Sequence, residues 1–326
     1  MACLVTGGAG YIGCHIVQRL VDEGVRTVVL DDLTKGHREL VPRGADFVEG
    51  STADPDGVAE TLKRFHVESV IHMAAHCEVG ESVRDPEKYF TNNVSHGLTL
   101  LEAMVRCGVK EIIFSSTAAV YGEPEEVPIP EHHPLRPTNP YGWSKLVFER
   151  ALETYRAAGF MRTVALRYFN AAGADPKGRF GEDHEPETHL IPNVLNAVLG
   201  KIPRLEIYGT DYATADGTAV RDYIHVSDLA EAHVLAYRAL RAGKDSAVYN
   251  LGNGKGFSIR EIVQATEALL RKKVPFVDRP RRPGDPAVLV ASSERIRREL
   301  GWRPRYSDLD TLIGSAWKWA SKTVSV

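Results

Sequence analysis

The sequence predicts an α/β fold, a doubly wound parallel sheet with a smaller, discontinuous C-terminal lobe, and three observations carry that prediction. Short apolar bursts alternate with helix-period segments, the βαβ rhythm of a parallel sheet covered on both faces. A glycine-rich turn sits between the first burst and the first helical stretch. After Asn170 the alternation breaks into Gly-, Pro- and charge-rich sequence from Ala174 to Glu187, where a second lobe can begin.

In order, the bursts are Ala2–Thr6, Thr27–Asp31 and Ser69–Met73, with helical stretches at Tyr11–Glu23 and Asp56–Phe65 between them. A long helical stretch near Pro86–Cys107 follows, then a strand at Glu111–Ser115, a helix from about Tyr141 to Ala158 and a strand at Thr163–Tyr168. Tyr223–His225 and Val248–Leu251 arrive late and are expected to finish the sheet, giving six or seven parallel strands. The implied division is a main domain of residues 1–171 plus 222–254 and a lobe of residues 172–221 plus 255–326.

Composition narrows the function classes. The 326 residues have ordinary globular usage, with 43% hydrophobic and 25% charged side chains, which excludes collagen-like, disordered and coiled-coil chains. Forty basic against 43 acidic residues leave a net charge of -3, without the basic footprint of a nucleic-acid or anionic-membrane binder. Cys3, Cys14, Cys77 and Cys107 are scattered without CxxC spacing, so neither a disulfide framework nor a zinc motif is expected. With no leader pattern and no run of about 18 apolar residues, the expected setting is the cytoplasm.

The turn Thr6-Gly-Gly-Ala-Gly-Tyr-Ile-Gly13 satisfies GxGxxG through Gly8, Gly10 and Gly13, and GxxGxxG through Gly7, Gly10 and Gly13. Residues without side chains let the backbone turn tightly, approach a pyrophosphate and pack the helix on the sheet, while the helix N-terminus stabilises the anion. Tyr11 and Ile12 then present amides. The second strand ends in Asp31-Asp32, 18 residues after Gly13, where a carboxylate can accept from ribose hydroxyls and repel a phosphorylated ribose. The pattern predicts a Rossmann domain that prefers NAD to NADP.

Tyr141 and Lys145 open a helix after Pro140, and a spacing of four puts them on one face. A phenol titrates near 10, but an adjacent ammonium favours the phenolate, which makes Tyr141 a candidate proton shuttle. A hydroxyl at the carboxyl end of the strand Ile112–Thr117 falls in the crevice where open α/β sheets bind ligands, so Thr117 or Ser116 can hydrogen-bond the reacting oxygen. His132 and His133 in a Pro-rich loop are expected to be solvated, and no metal site is expected. Trp317 and Trp319 are read as packing residues.

These residues resemble the extended short-chain dehydrogenase/reductase superfamily, and within it the UDP-sugar 4-epimerase family. The matching segments include Val5–Gly13, Val79–Val83, Asn92–Val94, Phe114–Gly122, Tyr141–Lys145, Arg167–Asn170, Gly181–His184, Glu187–Pro192, Gly217-Thr218, Arg221–Val226, Tyr249–Gly252, Arg281-Arg282 and Gly284-Asp285, in order along nearly the whole chain. The resemblance implies interconversion of UDP-glucose and UDP-galactose with a tightly held NAD+ that is reduced and reoxidised in each cycle. Tyr141 would take the proton of the sugar 4-hydroxyl, Lys145 would lower its pKa and hold the ribose, and Thr117 would hydrogen-bond the same oxygen. The 4-keto sugar would then turn and take hydride on its other face.

The resemblance also implies Leu33, Ser51, Thr52, Met73, Ala74, Asn92 and Tyr168 as cofactor contacts beside Gly7, Gly10, Tyr11, Ile12, Gly13, Asp31 and Asp32. For the UDP-sugar it implies Phe169, Asn170, Leu190, Tyr208 stacking on uracil, Arg221, Arg282 and Asp285. The two guanidinium forks suit a diphosphate independently. Leu289 borders the sugar pocket in this alignment and leaves intermediate room, so N-acetylated sugars are a possible second substrate class. A homodimer is implied as well. Departures are Thr117 for a common serine, Ser51-Thr52 where an acid commonly meets adenine, and Cys77 for a lysine. Related dehydratases carry Asp-Glu beside the threonine, and Ala118-Ala119 here removes the acid and base they need to expel water. A non-enzymatic NAD sensor would need the glycine turn but not Tyr141 and Lys145.

Overall fold

The strands of the main sheet are continuous apolar runs because both of its faces are covered. Side chains alternate between two cores: Cys3, Val5 and Val29 enter one, and Ala2, Leu4, Val28 and Leu30 enter the other. The computed structural model describes residues 2–282 and 285–322, so Gly284 of the segment ending at Asp285, together with residue 1 and residues 323–326, lies outside the described residues.

In chain order the strands are β1 (Ala2–Thr6), β2 (Thr27–Asp31), β3 (Asp46–Glu49), β4 (Val67–His72), β5 (Glu111–Thr117), β6 (Arg162–Tyr168), β7 (Asn170–Ala172), β8 (Leu205–Tyr208), β9 (Val220–His225), β10 (Ala247–Leu251), β11 (Gly256–Ser258), β12 (Phe276–Arg279) and β13 (Val288–Leu289). The helices are α1 (Tyr11–Asp22), α2 (Pro55–Arg64), α3 (Val79–Arg84), α4 (Pro86–Phe90), α5 (His96–Cys107), α6 (Pro140–Ala157), α7 (Leu190–Val198), α8 (Val226–Arg241), α9 (Ile259–Leu270), α10 (Glu294–Leu300) and α11 (Leu309–Ala320).

The main sheet has seven strands in the order β10-β6-β5-β4-β1-β2-β3, all parallel. This is the doubly wound Rossmann arrangement, with its switch point between β1 and β4. Helices α1 and α8 cover one face, and α2, α5 and α6 the other. Among the described residues no helix is long and apolar enough to cross a membrane.

Two sequence expectations are corrected here. Tyr223–His225 does not complete the main sheet: β9 pairs with β7, β11 and β13 in a second sheet. The edge beside β6 is taken by β10 along five residue pairs, while β9 pairs with β7, the continuation of the chain past Phe169. The stretch from Pro86 to Cys107 is not one α-helix. It is interrupted at Thr91–Ser95 by a π turn, a local widening that recurs at functional sites.

The second lobe packs α7, α9 and α11 around β8, β9 and β11 in its own apolar cluster, including Ile191, Leu195, Ile207, Tyr223, Phe257 and Leu312. It is tied to the first by the Tyr11 hydroxyl, which donates to the Gly173 carbonyl at 2.6 Å.

Candidate active site

Most of the predicted cofactor residues fall at the carboxyl ends of the main-sheet strands, the side on which open α/β sheets bind ligands. Gly7 follows β1 and Asp31 ends β2. Ser51 and Thr52 follow β3, Met73 and Ala74 follow β4, and Thr117 and Tyr168 end β5 and β6.

The glycines of the turn divide by cause. Gly7 has φ +70°, and a Cβ there would meet the Ala74 amide nitrogen at 2.7 Å; at Gly13 it would meet the Gly7 carbonyl oxygen at 2.1 Å. Both positions must be glycine for the chain to pack. Gly10, the N-cap of α1, is different: an added Cβ would find only the Gly7 oxygen, at an ordinary 3.4 Å. The protein itself does not need glycine at position 10. Absence of a side chain there leaves the first turn of α1 open, as close approach of a pyrophosphate requires. Gly10→Ala is therefore expected to leave the melting temperature of the cofactor-free chain within about 1 °C of the parent while NAD content after purification falls sharply; Gly13→Ala should lose both. Melting curves with an assay of released nucleotide check this.

Asp31 is buried and clasps the turn, accepting from the Ala9 and Leu33 amides at 2.9 Å each. Burial pushes its carboxyl up from the ordinary value. Leu33 has a φ of +58°, which turns the chain out of β2. Asp32 is taken up by Thr34, whose amide and hydroxyl donate to one of its oxygens at 3.1 and 2.7 Å. Ser51 accepts from Ala53 N at 3.2 Å, and Thr52 is buried. Met73 and Ala74 hang from the Thr6 carbonyl through their amides, both at 3.1 Å. Asn92 lies in the π turn and donates to Asn93 at 3.0 Å. Ile12, the second residue of α1, is half-buried against the core under the turn.

Helix α6 begins where it does because Asn139 caps the Gly142 amide at 2.9 Å and Pro140 occupies its first turn. That start sets Tyr141 and Lys145 on the face toward β5. Tyr141 is buried, and the Thr117 hydroxyl is the polar neighbour that favours its ionised form. Lys145 Nζ donates to the Ser115 carbonyl at 2.8 Å and lies 4.9 Å above the Phe114 ring. Burial pushes the Tyr141 phenol well above its ordinary value, against which the Thr117 hydroxyl acts; burial also lowers Lys145 to about 8. Burial raises Tyr168 in the same way, with the Ser115 hydroxyl acting against it. Of the two hydroxyls left open, Ser116 is committed elsewhere, donating to the buried Glu149. Alternation along β5 separates it from Thr117.

The predicted substrate residues form two contacts in the second lobe. Arg221 on β9 ion-pairs with Asp285 and donates to the Val220 carbonyl at 2.8 Å. The Arg282 guanidinium lies 4.0 Å over the Tyr208 ring. Leu289 links this lobe to the crevice: it stands beside Arg221 in register and packs with Phe169 on the cluster that contains Ala118. Asn170 opens β7 and Leu190 opens α7. Among the described residues no hydrogen bond, ion pair or ring contact joins Tyr208 or Arg282 to the Thr117, Tyr141 and Lys145 group.

Sequence reasoning missed several supports. Ser115 holds the Lys145 ammonium through its carbonyl, while its side chain contacts Met73 and His233. Asn93 bridges the His76 backbone and the Ser144 hydroxyl at 2.9 to 3.0 Å. His133 is not solvated: it is buried against Tyr121, accepts from Glu125 N at 2.8 Å, and its other nitrogen lies 2.8 Å from the Pro134 carbonyl. Glu182, His184, Glu187 and His189 converge in the second lobe, although the two histidines are five apart and fit no helical ligand spacing. Trp317 packs on its lobe's apolar cluster, and Trp319 on a small cluster of Cys14, Leu40 and Phe180 that joins the two lobes.

Comparison with known proteins adds the following. Residues 3–252 match the model of the NAD dependent epimerase/dehydratase family. The chain is 49% identical over 319 residues to the UDP-glucose 4-epimerase of Lacticaseibacillus casei, covering 98% of this chain and 96% of the relative. It superposes on the UDP-glucose 4-epimerase of Brucella ovis in complex with NAD with a TM-score of 0.95 and 48% identity, covering 97% of each chain. On the Bifidobacterium longum enzyme in complex with NAD+ and UDP, the TM-score is 0.94 at 37% identity, covering 99% of each.

Proposed function

The chain belongs to the NAD dependent epimerase/dehydratase family, and on that premise we propose that Tyr141, Thr117 and Lys145 carry its chemistry, the interconversion of UDP-glucose and UDP-galactose with NAD as cofactor. The observation that carries the assignment is the buried Tyr141 phenol with the Thr117 hydroxyl as the polar neighbour that favours its ionised form, on the helix face that also presents Lys145. When bound, NAD+ supplies the acceptor and later the donor of the hydride. Gly7, Gly10, Gly13, Tyr11 and Ile12 would hold its pyrophosphate, Asp31, Asp32 and Leu33 its adenosine end, and Ser51, Thr52, Met73, Ala74, Asn92 and Tyr168 the walls of the pocket. The open space over Gly10 is what the fit requires.

Tyr141 takes the proton of the sugar 4-hydroxyl, and Thr117 donates a hydrogen bond to that oxygen as it becomes the 4-keto group. Proton transfer by a positioned side chain contributes about 10²- to 10⁴-fold. Lys145, held by Ser115, keeps positive charge beside the phenol. Arg221, Arg282 and Asp285 bind the diphosphate and ribose, Tyr208 stacks on uracil, and Phe169, Asn170 and Leu190 line the sugar side, so the substrate stays anchored while its ketone turns. Reprotonation by Tyr141 returns the 4-hydroxyl with the opposite configuration.

Two further parts belong to this reading. A second copy of the chain is the protein partner, supported by the exposed Leu98, Trp143 and Val147 on α5 and α6. The setting is cytoplasmic, in keeping with four free cysteines among the described residues.

The test is to incubate the purified chain with UDP-galactose and no added nicotinamide. UDP-glucose should accumulate to equilibrium without net NADH. A requirement for stoichiometric NAD+, or no product from a chain shown to carry NAD, overturns the assignment.

A further inference from the structure

Outside the Thr117, Tyr141 and Lys145 group, residues 182–189 gather four ligand-type side chains. Single ligand atoms of Glu182, His184, Glu187 and His189 all lie within 4.8 Å of one another. Nδ1 of His189 and of His184 lie 2.5 and 3.2 Å from the same Glu182 oxygen, and 3.4 and 3.9 Å from the two oxygens of Glu187. The Glu182 side chain is only 6% exposed. Its Oε1 and both Nδ1 atoms are buried, and despite these short separations none meets another with hydrogen-bond geometry. Buried polar atoms are normally satisfied by well-directed hydrogen bonds, so three that crowd on one point without that geometry indicate a missing common partner.

The surroundings hold the four groups in place. The Glu187 carboxylate is oriented by the Thr188 and His189 amides, at 2.7 and 2.8 Å. The Glu182 carbonyl accepts from Trp319 Nε1 at 3.0 Å. Gly181 lies so close to the Trp319 ring that a Cβ would sit 2.2 Å from it. The loop is thus built against α11.

We propose that Glu182, His184, Glu187 and His189 form a structural site for one divalent cation of the zinc class. Two imidazoles with carboxylate oxygens are a borderline donor set, unlike the all-oxygen shells of Ca2+ and Mg2+. A tetrahedral zinc ion with bonds of 2.0–2.1 Å separates its ligand atoms by about 3.3 Å, which the 3.2 and 3.4 Å separations match. His189 and Glu182 open by about 0.8 Å to admit the ion. Four protein ligands leave no open position, which makes the site structural. The cation fastens the loop between the two lobes. His184 meets the Tyr11 ring edge-on, with centroids 6.2 Å apart, at the glycine turn; His189 is the N-cap residue of α7, directly before Leu190. The inference does not depend on the roles given to Tyr141 and Lys145.

The experiment uses the full-length, NAD-loaded chain, stripped with a chelator and dialysed metal-free. Zinc is titrated against a chromophoric chelator, and cobalt(II) is added separately for its visible spectrum. One zinc per chain with submicromolar affinity is expected, with an intense tetrahedral cobalt spectrum and a zinc-dependent rise in melting temperature. His184→Gln and His189→Gln should each weaken zinc about 100-fold, the scale of losing a supporting ligand contact, and abolish the rise while NAD content stays at the parent level. Absence of saturable binding tighter than micromolar overturns the proposal, as does binding unchanged in both variants. If the variants do not fold, the parent decides: a weak, octahedral-type cobalt spectrum overturns the site.

Discussion

Tyr141→Phe is expected to lower kcat for UDP-galactose about 10³- to 10⁴-fold, the upper range of a positioned proton-transfer group, while the chain still folds and still carries NAD. The substitution removes one oxygen from a buried ring and leaves the ring's packing beside Tyr89 in place. What is lost structurally is the phenol's polar contact with the Thr117 hydroxyl, at most about 1 kcal/mol for a neutral pair. No candidate cofactor contact other than the phenol itself is altered, because the glycine turn, Asp31 and Lys145 are untouched. Burial holds the phenol well above its ordinary value, and cationic charge beside it favours the phenolate. Steady-state rates and the amount of nucleotide released on denaturation check the two halves together. A variant as active as the parent removes Tyr141 from the chemistry, and one without NAD shows that the hydroxyl serves binding.

Arg167→Met is expected to cost about 3–5 kcal/mol, the scale for removing one partner of a buried ion pair. Arg167 and Glu149 are paired at 2.6 Å with side chains only 5% and 7% exposed. Arg167 Nε also donates to Glu149 at 3.0 Å, and its Nη1 donates to the Tyr121 hydroxyl at 3.0 Å, which in turn donates to Asn250 at 2.6 Å. Methionine replaces the bulk but leaves a buried carboxylate with the Ser116 hydroxyl as its remaining hydrogen bond. For a chain of this size that loss is on the order of a 5–10 °C drop in melting temperature. Because Ser116 is the neighbour of Thr117, turnover should fall as well. Arg167→Met combined with Glu149→Leu should recover most of the drop, since replacing both partners removes the unpaired charge. Melting curves of the three proteins decide: a single variant within about 1 °C of the parent shows that the pair stabilises nothing.

The parts that were legible in advance depend on short spacings. Ala2–Thr6 followed by Gly7, Gly10 and Gly13 reads as strand, turn and helix because each step is a local preference for extended, positive-φ or helical backbone. Tyr141 and Lys145 share a helix face by four-residue spacing alone. Asp31 is found by counting, though its burial and its hold on the Ala9 amide are not. The substrate residues came from resemblance, since Arg221, Tyr208 and Asp285 lie on separate strands and loops with no local pattern to unite them.

Other features have no local signature. Asn92 and Asn93 carry no sign of a π turn, which rests on Asn93 reaching His76 and Ser144 from distant segments. His133 looks like a loop residue on a polar surface until Tyr121 packs against it. Tyr223–His225 has a strand's composition, but which sheet it joins depends on where β6 leads the chain through β7. Thus the linear order of residues was enough to specify the glycine turn, the Tyr141 and Lys145 face and the alternating architecture, because backbone preference and side-chain periodicity act over a few residues. Only the folded chain decided the partner of Arg167, the commitment of Ser116 to Glu149 and the meeting of His184 with His189, because burial and convergence are set by contacts between segments far apart in the chain.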